Sequence, residues 1–203
     1  MSSGLQIVAV SCVAAQPWRN GGGVTRELLA WPSAADWACR ISVADISANG
    51  PFSAYAGIER WFSVVAGEGV VLRLGDTDIA LTTDSEPLCF DGEAAPACRL
   101  QRGATRDLNL MTRRSAGASR MQRALIGHSW RSDEPLRALF TANALTLHID
   151  ADAALLVPAW SLVVANNAAQ QQWSIEVPAP SQPPPPRAWW LAFQPRSSPC
   201  QHP

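Results

Sequence analysis

Apolar and polar positions alternate with a period of two along much of the chain, and a helical repeat is nearly absent, which predicts an all-β protein. Trp37, Cys39, Ile41 and Val43 fall on one face of a segment whose other face carries Ala38, Arg40, Ser42 and Ala44. Residues 58–65 and 70–74 flank Gly67-Glu68-Gly69, a hairpin signal. Residues 5–13, 25–31, 77–82, 87–90, 97–100 and 105–112 are further predicted strands, set apart by turn residues such as Asn49-Gly50-Pro51 and Gly75-Asp76. Strands this short indicate a sandwich or barrel rather than a parallel sheet with crossover helices. Beyond Arg114 the pattern weakens. Residues 139–149, 154–164, 173–177 and 188–193 are predicted strands of a second, smaller β half, with 181–186 an extended edge crossing or linker.

Composition narrows the function. Of 203 residues 47% are hydrophobic and 16% charged, enough apolar material for a sizeable core in one compact unit, 1–203. A net charge of −1 lacks the basic footprint of nucleic-acid binding. All 16 cations are arginine, so every cationic contact is a planar, permanently charged fork suited to carboxylates. No apolar run reaches membrane-span length and no leader pattern opens the chain, so no membrane partner is expected. Cys12, Cys39, Cys89, Cys98 and Cys200 are scattered and odd in number, which reads as reduced thiols in a cytoplasmic protein.

The most specific segment is Pro17-Trp18-Arg19-Asn20-Gly21-Gly22-Gly23-Val24-Thr25-Arg26-Glu27-Leu28. Three consecutive glycines permit close approach of backbone to a ligand, or serve as a tight turn feeding a strand. A phosphate loop is excluded because no Gly-Lys-Ser/Thr follows and residues 25–31 read as strand rather than helix. This stretch closely resembles the hallmark of the bacterial HutD/Ves family. The resemblance continues through Trp37-Ala38-Cys39-Arg40-Ile41-Ser42-Val43-Ala44-Asp45-Ile46, Asn49-Gly50-Pro51-Phe52-Ser53 and Gly57-Ile58-Glu59-Arg60. It ends at Asp107-Leu108-Asn109-Leu110-Met111 with Arg113-Arg114.

The resemblance implies a cupin-type jelly-roll β-barrel in a bicupin arrangement, with a main half over 1–114 and a more divergent half over 115–203. It also implies a link to histidine catabolism, where such proteins are thought to sense or buffer an intermediate such as N-formylglutamate. Metal-dependent cupins use a His-x-His cluster with a glutamate and a later histidine. Here His128, His148 and His202 stand twenty or more residues apart, so no metal and no cofactor are expected. Glu27, Glu59 and Asp107 are candidate acid/base carboxylates, but no nucleophile, base and orienting group are visible together.

Arg60 shares a strand face with Ile58, Phe62 and Val64, where a guanidinium needs either an internal carboxylate or a ligand carboxylate. Thr105, Asp107, Asn109, Met111 and Arg113 share a face that is either solvent-exposed or the polar wall of a pocket. Trp18 is either core or the lid of that pocket. The expected ligand-binding set is Trp18, Asn20, Gly21, Gly22, Thr25, Glu27, Arg60, Asp107 and Asn109, with no catalytic residue. The expectation is a non-catalytic protein that binds a small acidic metabolite and modulates histidine utilisation, with a homodimer possible by sheet contacts. The alternatives are a metal-free enzyme acting on an acylated amino acid and a partner-binding module with a vestigial pocket.

Overall fold

A computed structural model describes residues 4–150, 154–166, 169–177 and 187–196. The segment 181–186, Cys200 and His202, all singled out above, lie outside the described residues. The described chain is all-β. Its first strands are β1 (Leu5–Ala9), β2 (Gln16–Pro17), β3 (Gly23–Trp31), β4 (Cys39–Ile46), β5 (Gly50–Pro51), β6 (Ile58–Ala66), β7 (Val70–Leu74), β8 (Thr77–Leu81), β9 (Leu88–Asp91), β10 (Ala97–Leu100) and β11 (Thr105–Arg113). They are followed by β12 (Gly117–Arg123), β13 (Leu136–Thr141), β14 (Leu145–Ile149), β15 (Leu155–Val157), β16 (Ser161–Ala165), β17 (Trp173–Glu176) and β18 (Ala188–Pro195). No helix among the described residues is long and apolar enough to cross a membrane.

The strands form four antiparallel sheets, ordered β2-β3-β4-β11-β6-β9, β5-β10-β7-β8, β1-β16-β13-β18-β12 and β15-β14-β17. None of these sheets closes on itself, so the expected closed barrel is corrected to stacked open sheets. Three apolar clusters define the stacking. Cys39, Ile41, Val43, Leu108 and Leu110 of the six-stranded sheet pack on Leu136, Ala138, Leu162, Trp189 and Leu191 of the five-stranded sheet. The opposite face of the six-stranded sheet sends Ile46, Phe62 and Val64 against Val70, Leu72, Leu81 and Cys98 of the four-stranded sheet. Beyond the five-stranded sheet, Trp130, Leu147, Trp173 and Trp190 fill the space under the three-stranded sheet. Period-two alternation thus serves both central sheets, each of which buries both faces.

Four differences from the sequence reading have physical causes. Residues 5–13 yield β1 and then a 3-10 turn at Val10–Cys12. Residues 139–149 split into β13 and β14 at Asn143, whose backbone N–H and carbonyl both bond the Thr141 hydroxyl. Residues 154–164 split into β15 and β16 before Trp160, which takes a left-handed φ of 57°. Strand β12 was not foreseen, because it pairs only with β18 and buries little besides Met121.

Candidate functional site

Three rows of paired residues cross the six-stranded sheet on the face away from the five-stranded one. The first runs Thr25, Ala44, Asp107, Val64; the second Glu27, Ser42, Asn109, Phe62; the third Arg40, Met111, Arg60, Phe90. The four-stranded sheet covers Phe62, Val64 and Phe90 of these rows, while Ala44 and Met111 line the cavity. Thr25, Ser42, Asn109, Arg40 and Arg60 of these rows face a cavity of about 610 Å³, whose other walls come from residues 16–20 and from Pro51, Phe52, Ser53 and Tyr55. Its size suits a small metabolite. Thr105, Asp107, Asn109 and Met111 are all buried, so the face of β11 that they share is an interior wall and not a solvent surface. The cause is the central place of β11, paired with β4 on one side and β6 on the other.

The glycine turn shapes the outer wall. Gly21 has a φ of 71°, the left-handed region that favours glycine. Gly23 carries a different constraint: a Cβ there would lie 2.3 Å from the Asp45 carbonyl oxygen and 3.2 Å from the Trp18 ring. Gly22 accepts hydrogen bonds at its carbonyl from the Ser47 and Ala48 amides, while its own N–H donates to Asn20 Oδ1 at 3.0 Å. The turn therefore presses Trp18 over the start of β3.

Of the expected binding residues, Trp18, Asn20, Thr25, Arg60 and Asn109 line the cavity. Gly21 and Gly22 hold the turn without lining it. Glu27 lies beside the cavity, 2.7 Å from Arg40 Nε in an ion pair whose geometry is not that of an aligned hydrogen bond. Asp107 lies beneath the lining and does not reach the cavity surface. Arg19, Arg40, Ser42, Phe52, Tyr55 and Met111 line the cavity but were not in the expected set. The alternation of β4 had already put Arg40 and Ser42 on one face; which way that face points was not written in the strand itself.

Arg60 is only 8% exposed. Its Nε donates to Asn109 Oδ1 at 2.8 Å, and its guanidinium lies 4.4 Å from the centre of the Phe52 ring. No carboxylate among the described residues comes within ion-pair distance of it, so the two Nη groups are not consumed by an internal salt bridge. Burial lowers the Arg60 pKa, and the nearby Asp107 charge opposes that shift. Asn109 Nδ2 donates in turn to Asp107 Oδ2, while Asp107 Oδ1 has no hydrogen-bond partner among the described residues. Burial pushes the Asp107 carboxyl up to about 7, against the pull of Arg60 and Asn109.

Chemically, the lining contributes three guanidinium groups, several neutral hydroxyls and amides, and aromatic surface from Trp18, Phe52 and Tyr55. Among the described residues no carboxylate, histidine or cysteine belongs to it. No three His, Cys, Asp or Glu side chains converge into a possible metal cluster among the described residues.

Comparisons with known proteins agree with this architecture. A protein from Pseudomonas putida, described as an uncharacterized 21.2 kDa protein in the hutC 3' region, is 33% identical over 111 residues, 54% of this chain and 58% of that protein. Protein Ves of Citrobacter koseri is 37% identical over 99 residues, 48% of this chain and 52% of that protein. The chain spans little more than half the length of the curated relatives it matches. Among solved structures, HutD from Pseudomonas fluorescens SBW25 superposes with a TM-score of 0.80 at 23% identity, covering 95% of this chain and all of that one. A cupin 2 conserved barrel domain protein from Leptotrichia buccalis gives 0.56 at 8% identity, covering 96% and 98%. These likenesses show a cupin-like all-β fold. The HutD family model matches residues 11–179, most of the sequence, and the chain belongs to that family.

Proposed function

We propose that this chain binds a small acidic metabolite without transforming it, and that occupancy of the cavity modulates histidine utilisation. The observation that carries the reading is the cavity's charge: Arg19, Arg40 and Arg60 line it, and among the described residues no carboxylate does. A buried guanidinium that has one nitrogen tied to an amide and lines a cavity fits a ligand carboxylate. The Trp18, Phe52 and Tyr55 surfaces fit the ligand's carbon skeleton. The name of the family and the hutC-region description of the Pseudomonas putida relative support an intermediate of histidine breakdown, of which N-formylglutamate is the acidic, acylated candidate. The two sheet pairs correspond to two cupin-like halves of unequal size, with the ligand in the N-terminal one.

A thermal-shift series with histidine-pathway intermediates tests this. A ligand present at 100 times its dissociation constant adds about 2.7 kcal/mol to stability. Stabilisation by N-formylglutamate, without change in the compound, is the expected result. Turnover would replace the reading with an enzyme, and indifference to every acidic intermediate would remove it.

A further inference from the structure

Asp107 takes no part in lining the cavity, yet it ends a chain of contacts that begins there. Its described hydrogen bond comes from Asn109 Nδ2, and the oxygen of the same amide accepts from Arg60 Nε. An amide has one donor end and one acceptor end, so the acceptor at Asp107 fixes which end meets the guanidinium. Turned over, Asn109 would oppose donor to donor at Arg60. With Nε held by Asn109 and the guanidinium 4.4 Å from the centre of the Phe52 ring, Arg60 lines the cavity with no carboxylate of the described residues at ion-pair distance. Asp107 supplies counter-charge from behind, one amide away.

This arrangement has a consequence for binding, which rests on the reading of the cavity as a carboxylate site. We propose that Asp107 is a positioning residue that orients Asn109 and Arg60, and that it takes up a proton when an anion occupies the Arg60 fork. An arriving carboxylate and an ionised Asp107 share one guanidinium in a buried setting, where like charges repel strongly. A proton on Asp107 removes that repulsion and leaves a carbonyl oxygen to receive Asn109 Nδ2. Burial pushes the Asp107 carboxyl up to about 7, so the proton is available near neutrality.

The groups facing Asp107 do not supply a rival partner. Arg60 approaches from β6, while Asp45, on the other face of β4, is engaged by Arg26 and Arg106. Cys98 faces it from β10, its thiol pushed up to about 12 mainly by burial. The buried face of the covering sheet otherwise presents apolar side chains, with Val70 and Leu72 packed in the same cluster. Arg40 and Tyr55 act on Arg60 rather than on Asp107 directly.

The test is calorimetric titration of N-formylglutamate into the full chain and into Asp107→Asn, at pH 6, 7 and 8, in buffers of different ionisation enthalpy. For the wild type the dissociation constant should rise about tenfold from pH 6 to pH 8, with close to one proton taken up per ligand at pH 8. Asp107→Asn keeps an acceptor for Asn109 without a titrating group, so its affinity should be flat across this range and its proton uptake absent. Wild-type binding with no proton uptake and a pH-independent constant overturns the role of Asp107 while leaving the anion site standing. The same follows if Asp107→Asn retains the wild-type uptake. Should the variant fail to fold, the wild-type uptake decides alone. Absence of binding at every pH overturns both the site and the role.

Discussion

Trp18 Nε1 donates a 2.7 Å hydrogen bond to Thr25 Oγ1, joining the residue before the three glycines to the strand after them. The Trp18 amide donates to the Gly23 carbonyl and the Gly21 amide to the Trp18 carbonyl, so the segment closes into a small clasp over the cavity. Trp18 also meets Phe52 edge-on at 6.3 Å, bringing together two pieces of chain that share no strand.

Replacing Trp18 by Phe keeps most of the apolar area and removes the donor, and Thr25→Val removes the acceptor. Each should destabilise the protein by about 1 kcal/mol in urea unfolding. The double variant should lose less than the sum, because the second change has no bond left to break. Strict additivity would show that the hydrogen bond contributes nothing.

The glycines of the clasp are not equivalent. Gly21 is constrained by its φ of 71° but has open space where a Cβ would stand. Gly23 has ordinary backbone dihedrals but meets the Asp45 carbonyl and the indole. Gly21→Ala should therefore lose about 1 kcal/mol, the usual penalty of a left-handed alanine. Gly23→Ala should lose more, about 1–3 kcal/mol, and should displace Trp18 as well. Thermal melts followed by tryptophan fluorescence measure both effects. Equal losses, or an unchanged indole spectrum in Gly23→Ala, would contradict the steric argument.

Asp107 also gives stability a pH dependence of known sign. Its proton is held up to about 7 in the folded chain, against an ordinary value of 3.8. Between those limits the folded state keeps a proton that the unfolded state has lost. The stability contributed by this group is complete below about pH 4 and is lost as pH rises through 7, with a slope of at most about 1.4 kcal/mol per pH unit. Asp107→Asn removes that dependence, so the variant should gain on the wild type as pH rises from 5 to 8. Urea midpoints across that range read it directly, and parallel curves for the two proteins would show an Asp107 that does not titrate there.

The main sheet was legible because its two faces differ in character. On β4 and β11, Cys39, Ile41, Val43, Leu108 and Leu110 alternate with Arg40, Ser42, Asp107 and Asn109, and the structure sends the first set into the core between the large sheets and the second toward the cavity. The period of two states that the faces differ; it cannot state which neighbour covers each, since that depends on pairings distant in sequence. That is why the polar face of β11 was open to a solvent reading and why Arg40, on the strand beside it, was not placed in the site. The second half was less legible because its strands are short and interrupted. Trp173 is buried under the three-stranded sheet, yet nothing in its local pattern shows that the Arg137 guanidinium lies 4.8 Å from its ring, from a strand 36 positions earlier. Strand β1 pairs with β16 over more than 150 intervening positions, from Leu5 with Ala165 to Ala9 with Ser161, a contact no local pattern encodes.

Arg60→Lys separates a binding guanidinium from a structural one. Lysine keeps the charge but has no planar fork, so it can contact Asn109 or a ligand carboxylate but not both with the same geometry. In the proposed site, affinity for N-formylglutamate should fall about ten- to a hundredfold, corresponding to about 1.5–3 kcal/mol for a charge-assisted contact. The fold tolerates the change better than a loss of charge would, because the ammonium can still balance Asp107 through Asn109 and lie against Phe52. The melting temperature should thus shift far less than the dissociation constant. Fluorescence titration, with Trp18 in the cavity wall as reporter, gives the constant, and thermal melts of the unliganded proteins give the fold. If affinity is unchanged while the melting temperature drops, Arg60 is a buried partner of Asn109 and Asp107, and the ligand carboxylate must be held by Arg40 or Arg19 instead.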